Sequence, residues 1–112
     1  MKSETKEGVL IIYLEGNLLG ENHNVAVSAL VTENNTNGKK KLIFNLAEMK
    51  FINSTGLGMI INAITKTRSA GGEVAFCNVP DQMAKLLKMT KLEALFTSTA
   101  DEPSAIAYLN GL

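Results

Sequence analysis

A polar motif between an apolar strand and an amphipathic helix is the feature that most limits how this chain can fold. Residues 41–46 form a short apolar run that is typical of a buried strand. Apolar residues then recur with helical spacing at Leu57, Ile60, Ile61 and Ile64. Ser54 and Thr55 stand between the two segments, so we expect them where a helix begins, near unpaired N–H groups and the positive end of the helix dipole.

Two roles are open to a hydroxyl in this position. It can cap the helix by accepting a hydrogen bond from a backbone N–H group. It can also carry a phosphoryl group, which a helix N-terminus stabilises. The residues of the motif do not decide between these roles.

Strand and helix patterns alternate along most of the chain. Residues 9–14 and 3–7 predict a hairpin that turns at Glu7-Gly8, and residues 41–46, 73–77 and 95–96 predict further strands. Helices are predicted at residues 21–31 and 56–70, from Asp81 and from Asp101 onward. Gly71-Gly72 is predicted to end the second helix. The third helix is predicted to bury Met83, Leu86 and Leu87. This order predicts one α/β domain over residues 1–112, with a mostly parallel central sheet of four to five strands and about four helices.

Composition excludes several classes of function. Eleven basic residues balance eleven acidic ones, which gives no nucleic-acid footprint, and no apolar run approaches the ~20 residues that span a bilayer. The single Cys77 and the single His23 have no partners at metal-ligand spacing. The carboxylates Glu15, Glu21 and Glu48 lie near segment ends, where they could meet, but no convergence of carboxylates is predicted. We expect a cytoplasmic binding or regulatory protein without signal peptide, membrane insertion, metal or cofactor, rather than an enzyme.

The central motif resembles that of a known family. Residues 51–58 read Phe-Ile-Asn-Ser-Thr-Gly-Leu-Gly. They resemble the Phe-Met-Asp-Ser-(Ser/Thr)-Gly-Leu-Gly segment of bacterial anti-sigma factor antagonists, which are members of the STAS domain family. Residues 14–18, 41–46, 71–74 and 86–92 also fall at the spacings of that family. The resemblance covers nearly the whole chain.

The resemblance implies a partner-switching function. Such an antagonist binds an anti-sigma factor of the serine kinase type and thereby releases a sigma factor. The kinase phosphorylates the antagonist, and a PP2C-type phosphatase resets it. By position the phosphorylated residue would be Ser54, with Thr55 as second choice. The partner-binding residues would be Asn53, Ser54, Thr55, Gly56, Met59 and Leu19.

Two positions depart from the family pattern. Asn53 stands where the motif has Asp, and Leu19 stands where an earlier Asp is usual. These departures favour an alternative, a STAS scaffold subunit of a larger complex, such as a lipid-transport ABC complex, that is not phosphorylated. A third hypothesis is a small nucleotide-binding domain that uses the same helix N-terminus. The sequence predicts no interface between copies of the chain, so a monomer is expected.

Individual residues near the motif carry further expectations. Met59 is predicted to be partly exposed, and Met89 is predicted to lie in the core. Gly56 and Gly58 are predicted to allow close packing at the helix start. Asn45, at the end of its strand, is expected to hydrogen-bond the motif loop.

Overall fold

The computed structural model describes residues 2–18, 24–36, 38, 41–95 and 97–112. Its strands are β1 (Lys2–Lys6), β2 (Val9–Tyr13), β3 (Gly16–Leu18), β4 (Lys41–Asn45), β5 (Met49–Ile52), β6 (Glu73–Cys77) and β7 (Ser98–Thr99). Its helices are α1 (Asn24–Thr36), α2 (Ser54–Ser69), α3 (Asp81–Met89) and α4 (Glu102–Asn110), with a short 3₁₀ helix at Glu93–Leu95. Leu19, Glu21 and His23 lie outside the described residues.

Five strands form the central sheet, in the order β1-β2-β4-β6-β7. β1 is antiparallel to β2, and the other neighbouring strands are parallel. Glu7 and Gly8 join β1 to β2 with positive φ angles of 50° and 80°, as in the type I′ turns that suit two-residue hairpins. Within the described residues, the predicted α/β class, the mostly parallel sheet with four helices and the hairpin are confirmed.

Helices cover both faces of this sheet, because its inner strands are apolar on both sides. On one face, helices α1, α2 and α3 pack against a large cluster that includes Leu10, Ile12, Leu42, Phe44, Val74 and Phe76. On the other face, α4 packs against a smaller cluster through Ala105, Ile106 and Leu109. Cys77 belongs to the smaller cluster and is fully buried.

The strand pattern departs from the sequence prediction in two places. β3 and β5 pair in parallel as a separate two-stranded sheet, although neither segment has a clear strand pattern. The strand predicted at residues 95–96 is wrong, because Leu95 ends the 3₁₀ helix and Phe96 lies outside the described residues. The last strand is β7, where the Thr99 hydroxyl donates a hydrogen bond to the carbonyl of Phe76 at 3.0 Å.

The carboxylate of Glu102 ties helix α4 to three strands of the sheet. It accepts hydrogen bonds from Lys6 Nζ and the Tyr13 hydroxyl, both at 2.9 Å, and from Asn45 Nδ2 at 3.2 Å. Asn45 Oδ1 in turn accepts from the backbone N–H of Ala47 at 3.1 Å. The expectation that Asn45 bonds the motif loop is therefore wrong, because its side chain bonds Glu102, Ala47 and Asn78, none of which belongs to the motif.

The Glu102 network predicts a specific acid sensitivity. Burial alone would raise the pKa of the Glu102 carboxyl, but the hydrogen bonds from Lys6, Tyr13 and Asn45 outweigh burial and lower that pKa. A pKa lowered by folding stabilises the folded state above the unfolded pKa, and this stability is lost as the pH falls through the folded pKa. We expect Glu102→Gln to lower the free energy of unfolding by ~1 kcal/mol at pH 7 and by less at pH 3. Urea unfolding at both pH values measures the free energy of unfolding. Glu33→Gln, at an exposed residue, is the control and should change that free energy little.

The end of helix α3 places a lysine in the left-handed conformation. Lys91 has a φ of 60°, whereas the equivalent position after α2 is Gly71, with a φ of 87°, as predicted from the Gly71-Gly72 pair. A residue with a side chain is strained in this conformation, and glycine is not. We expect Lys91→Gly to raise the free energy of unfolding by about 0.5–1 kcal/mol in urea unfolding. Thr90→Gly, at a residue with a φ of −89°, should not stabilise the protein.

Candidate functional site

Helix α2 begins directly after strand β5, and the residue between them caps the helix. Asn53 has an extended backbone, with φ −104° and ψ −179°, and its side-chain oxygen accepts a hydrogen bond from the N–H of Gly56 at 2.8 Å. This bond satisfies one of the N–H groups that the first helical turn leaves without an intrahelical partner. The first helical residue is therefore Ser54.

Ser54 and Thr55 occupy the exposed first turn of α2. Among the residues that the structure describes, neither hydroxyl has a hydrogen-bond partner. Of the two roles open to these hydroxyls, the cap is taken by the side chain of Asn53. The Ser54 hydroxyl is left accessible at the positive end of the helix dipole, where an added negative charge is favourable.

Gly56 brings the start of α2 against the backbone of strand β3. A Cβ atom at this position would lie 2.2 Å from the carbonyl oxygen of Leu18. The same carbonyl accepts a hydrogen bond from the backbone N–H of Asn53 at 3.2 Å. Close packing at the helix start is thus confirmed for Gly56. It is wrong for Gly58, where a Cβ would meet nothing within 4 Å.

The buried side of α2 is rotated by about one residue from the side that the sequence predicts. Its buried residues are Gly56, Met59, Ile60, Ala63, Ile64 and Thr67. Met59 is only 4% exposed, so the prediction of partial exposure is wrong. Leu57 and Ile61 lie at the border of the core instead. Met59 therefore supports the first turns of α2 from inside and offers no surface to a partner.

Two large apolar side chains are exposed, one in strand β5 and one at the end of helix α3. Phe51, in β5, is 51% exposed and lies three residues before Ser54. Met89, at the end of α3, is 81% exposed, so its predicted place in the core is wrong. Met83 and Leu87 take the buried side of that helix, and Met89 lies on the opposite side. The sequence motif contained Phe51, but a four-residue strand does not reveal which face is buried.

The structure brings four of the six predicted partner-binding residues together. Asn53, Ser54, Thr55 and Gly56 are consecutive at the start of α2, and Gly56 is buried, which leaves the first three at the surface. Met59 is inside the core, and Leu19 lies outside the described residues. The accessible site therefore consists of an amide and two hydroxyls at a helix N-terminus.

The described part of the chain gives little support for a metal site or a reactive thiol. It contains no group of three or more His, Cys, Asp or Glu residues that could hold a metal ion. Burial raises the pKa of the Cys77 thiol to about 11, which opposes formation of a reactive thiolate. Glu15 and Glu48 line one open groove of about 580 Å³, while Glu21 lies outside the described residues.

The length and composition of the helices bear on membrane insertion. None of the helices among the described residues is both long and apolar enough to cross a bilayer.

Comparison with known proteins identifies the family. Residues 1–105 match the sequence profile of the STAS domain, and the chain belongs to the STAS domain family. A relative from Paenibacillus polymyxa, the anti-sigma F factor antagonist, is 26% identical over 109 residues, which cover 97% of this chain and 93% of the relative.

Solved structures share the fold at lower sequence identity. Unphosphorylated SpoIIAA, an anti-sigma factor antagonist, is 19% identical, with a TM-score of 0.77 and coverage of 99% of this chain and 98% of that chain. The phosphorylated form of SpoIIAA from Bacillus is also 19% identical, with a TM-score of 0.74 and coverage of 96% of each chain. An anti-sigma factor antagonist from Mycobacterium paratuberculosis is 16% identical, with a TM-score of 0.78 and coverage of 97% and 92%.

The two glycines of the motif allow a matched test of the helix start. Gly56→Ala places a methyl group against the Leu18 carbonyl, and we expect it to lower the free energy of unfolding by about 2–4 kcal/mol. Gly58→Ala has open space and improves helix propensity, so it should raise that free energy by about 0.5–1 kcal/mol. Urea unfolding distinguishes the two. Equal effects would contradict the close contact at Gly56.

Proposed function

We propose that this protein is an anti-sigma factor antagonist that binds an anti-sigma factor of the serine kinase type and is switched by phosphorylation of Ser54. The observation that carries the proposal is the state of the Ser54 hydroxyl. It is exposed, it is not used as the helix cap, and it lies at the N-terminus of a sixteen-residue helix. The names of the relatives and their shared fold support the same function.

A phosphoryl group at Ser54 would act on the partner more than on the fold. It adds a charge of roughly −1.5 to −2 in place of a neutral hydroxyl. The dipole of α2 favours that charge, and the Asn53 cap does not involve the modified atom. A partner that covers the site would have to desolvate the new charge. Phosphorylation would therefore lower affinity while leaving the antagonist folded.

Asn53 changes the electrostatics of the proposed site without removing its cap. Its amide oxygen caps α2 as an Asp carboxylate would, but it carries no negative charge next to Ser54. A kinase that relies on that carboxylate to orient the hydroxyl would act slowly here. A PP2C-type phosphatase would reverse the modification, and Thr55, also exposed, is the second candidate acceptor.

The substitution at Asn53 is also the observation that favours the alternative function. A STAS scaffold subunit of a larger complex, such as a lipid-transport ABC complex, would use the same surface without phosphorylation. In both cases the chain acts as a binding protein rather than an enzyme, in the cytoplasm. The two functions differ in the chemical state of Ser54.

Phosphorylation and binding can be measured together with a purified anti-sigma factor of the serine kinase type. After incubation with that kinase and ATP, we expect the intact mass to rise by about 80 Da, with the modification at Ser54. Ser54→Ala should abolish the mass shift, and Thr55→Ala should retain it. In a binding titration, Ser54→Asp should weaken affinity at least ~10-fold, because the added charge faces the partner.

Controls separate loss of binding from loss of folding. Ser54→Asn is similar in size to Ser54→Asp but uncharged, so it should bind more tightly than the aspartate variant. Both variants should unfold at similar urea concentrations. An unmodified Ser54, together with equal affinities of the two variants, would contradict the switch and favour the scaffold function.

A further inference from the structure

Helix α3 presents a cationic surface on the side that does not face the core. We define the α3 cationic face as Lys50, Lys85, Lys88, Met89 and Lys91, all of which are exposed. Met83 and Leu87 occupy the buried side of the helix. No lysine of the face forms an ion pair with any residue in the described part of the chain.

A hydrogen bond joins helix α3 to the strand that leads to the candidate site. The side-chain amide of Gln82, in the first turn of α3, donates to the backbone carbonyl of Lys50 in β5. Three residues after Lys50, the same segment reaches Asn53, the cap of α2. Gln82, Lys85 and Met89 recur at i, i+3 and i+7, which places them along one stripe of α3. The stripe therefore starts beside the segment that leads to Ser54.

The charge of this surface is comparable to the charge of a phosphoryl group. The face has four lysines, and the acidic residues of α3 and the following 3₁₀ helix are Asp81 and Glu93. With the exposed Glu48, two residues before Lys50, four positive and three negative charges leave a net charge of +1. A phosphoryl group on Ser54 carries roughly −1.5 to −2. Phosphorylation would thus remove the net positive charge of the combined surface.

We propose that the α3 cationic face binds an acidic segment of the protein partner, with Met89 in apolar contact, and that the phosphoryl group at Ser54 weakens binding by cancelling this attraction. The proposal rests on the proposed function and adds the chemistry of the partner's contact surface. Exposed lysines without ion pairs favour acidic partners, and methionine adapts to varied apolar surfaces. A single exposed methionine gives little apolar area to insert into a membrane, which favours a protein partner over a lipid surface.

The left-handed backbone conformation of Lys91 supports a role for its positive charge in binding. Glycine would fit the left-handed position after α3 without strain, as Gly71 does after α2. A lysine there adds a third positive charge, after Lys85 and Lys88, at an interval of three residues. The face keeps this charge at a backbone position that a lysine fits poorly.

The first test measures the affinity for the same kinase-type anti-sigma factor at several salt concentrations. We expect the dissociation constant of the unmodified protein to rise roughly 10-fold between 50 and 300 mM NaCl, because the attraction is screened. The double variant Lys85→Glu/Lys88→Glu should bind at least ~30-fold more weakly. Lys2→Glu/Lys66→Glu changes the net charge equally on other surfaces and should bind within ~3-fold of the unmodified protein. Ser54→Asp should show a smaller salt dependence than the unmodified protein.

Lys91→Gly provides a variant that cannot fail through misfolding, since it is expected to raise stability. It should still weaken binding by roughly 3-fold, whereas a purely structural role of Lys91 would leave affinity unchanged. Co-sedimentation with vesicles of pure phosphatidylglycerol, against vesicles of phosphatidylcholine, tests the membrane. Vesicle binding that Lys85→Glu/Lys88→Glu abolishes, with affinity for the anti-sigma factor unchanged, would overturn the proposal in favour of a lipid surface.

The outcomes distinguish this proposal from the proposed function. If the unmodified protein does not bind the kinase-type anti-sigma factor at all, the proposed function fails and this inference fails with it. If it binds and Ser54→Asp weakens binding, but salt and the Lys85→Glu/Lys88→Glu variant have no effect, the proposed function stands and the inference is wrong.

Discussion

The contact between Gly56 and the Leu18 carbonyl determines the geometry on which the candidate site depends. It brings the first turn of α2 against β3, and the same carbonyl accepts the N–H of Asn53 at the end of β5. The backbone oxygen of Leu18 thus holds the end of β5 and the start of α2 against a strand that is far away in the sequence. Because Asn53 also caps the helix, the Ser54 hydroxyl is placed at the surface without having a structural task of its own.

The two faces of the central sheet are covered by different helices and support different parts of the molecule. On one side, α4 is held by its apolar residues and by the bonds of Glu102 to Lys6, Tyr13 and Asn45. On the other side, the core under α1, α2 and α3 supports the site from within, and Met59 is part of that support. A charge added at Ser54 is therefore separated by the sheet from the polar network at α4. Because of this separation, a charge added at Ser54 is expected to change the chemistry of the surface without changing the fold.

The periodic segments were predictable from the sequence, and the short contacts were not. The strands at residues 9–13, 41–45 and 73–77 are apolar on both faces, and the Glu7-Gly8 turn has residues suited to positive φ, so their patterns were clear. β3 and β5 have three and four residues of mixed polarity, which is too few for a period to emerge. The predicted environments of Met59 and Met89 are wrong, because methionine suits both cores and surfaces. For Met59, the buried stripe of α2 is also rotated by about one residue from the predicted stripe. The position of the motif at a helix start was predictable, but the identity of the cap depended on where β5 ends.

Strand β1 forms one border of the central sheet, and every residue in it is exposed. Its sequence alternates charged and hydroxyl side chains, with Lys2, Glu4 and Lys6 at every second position. An unpaired sheet border is a template on which strands of other molecules can assemble, and charged side chains discourage such growth. The charged side chains of this hairpin therefore oppose edge-to-edge growth of the sheet and limit aggregation in a crowded cell.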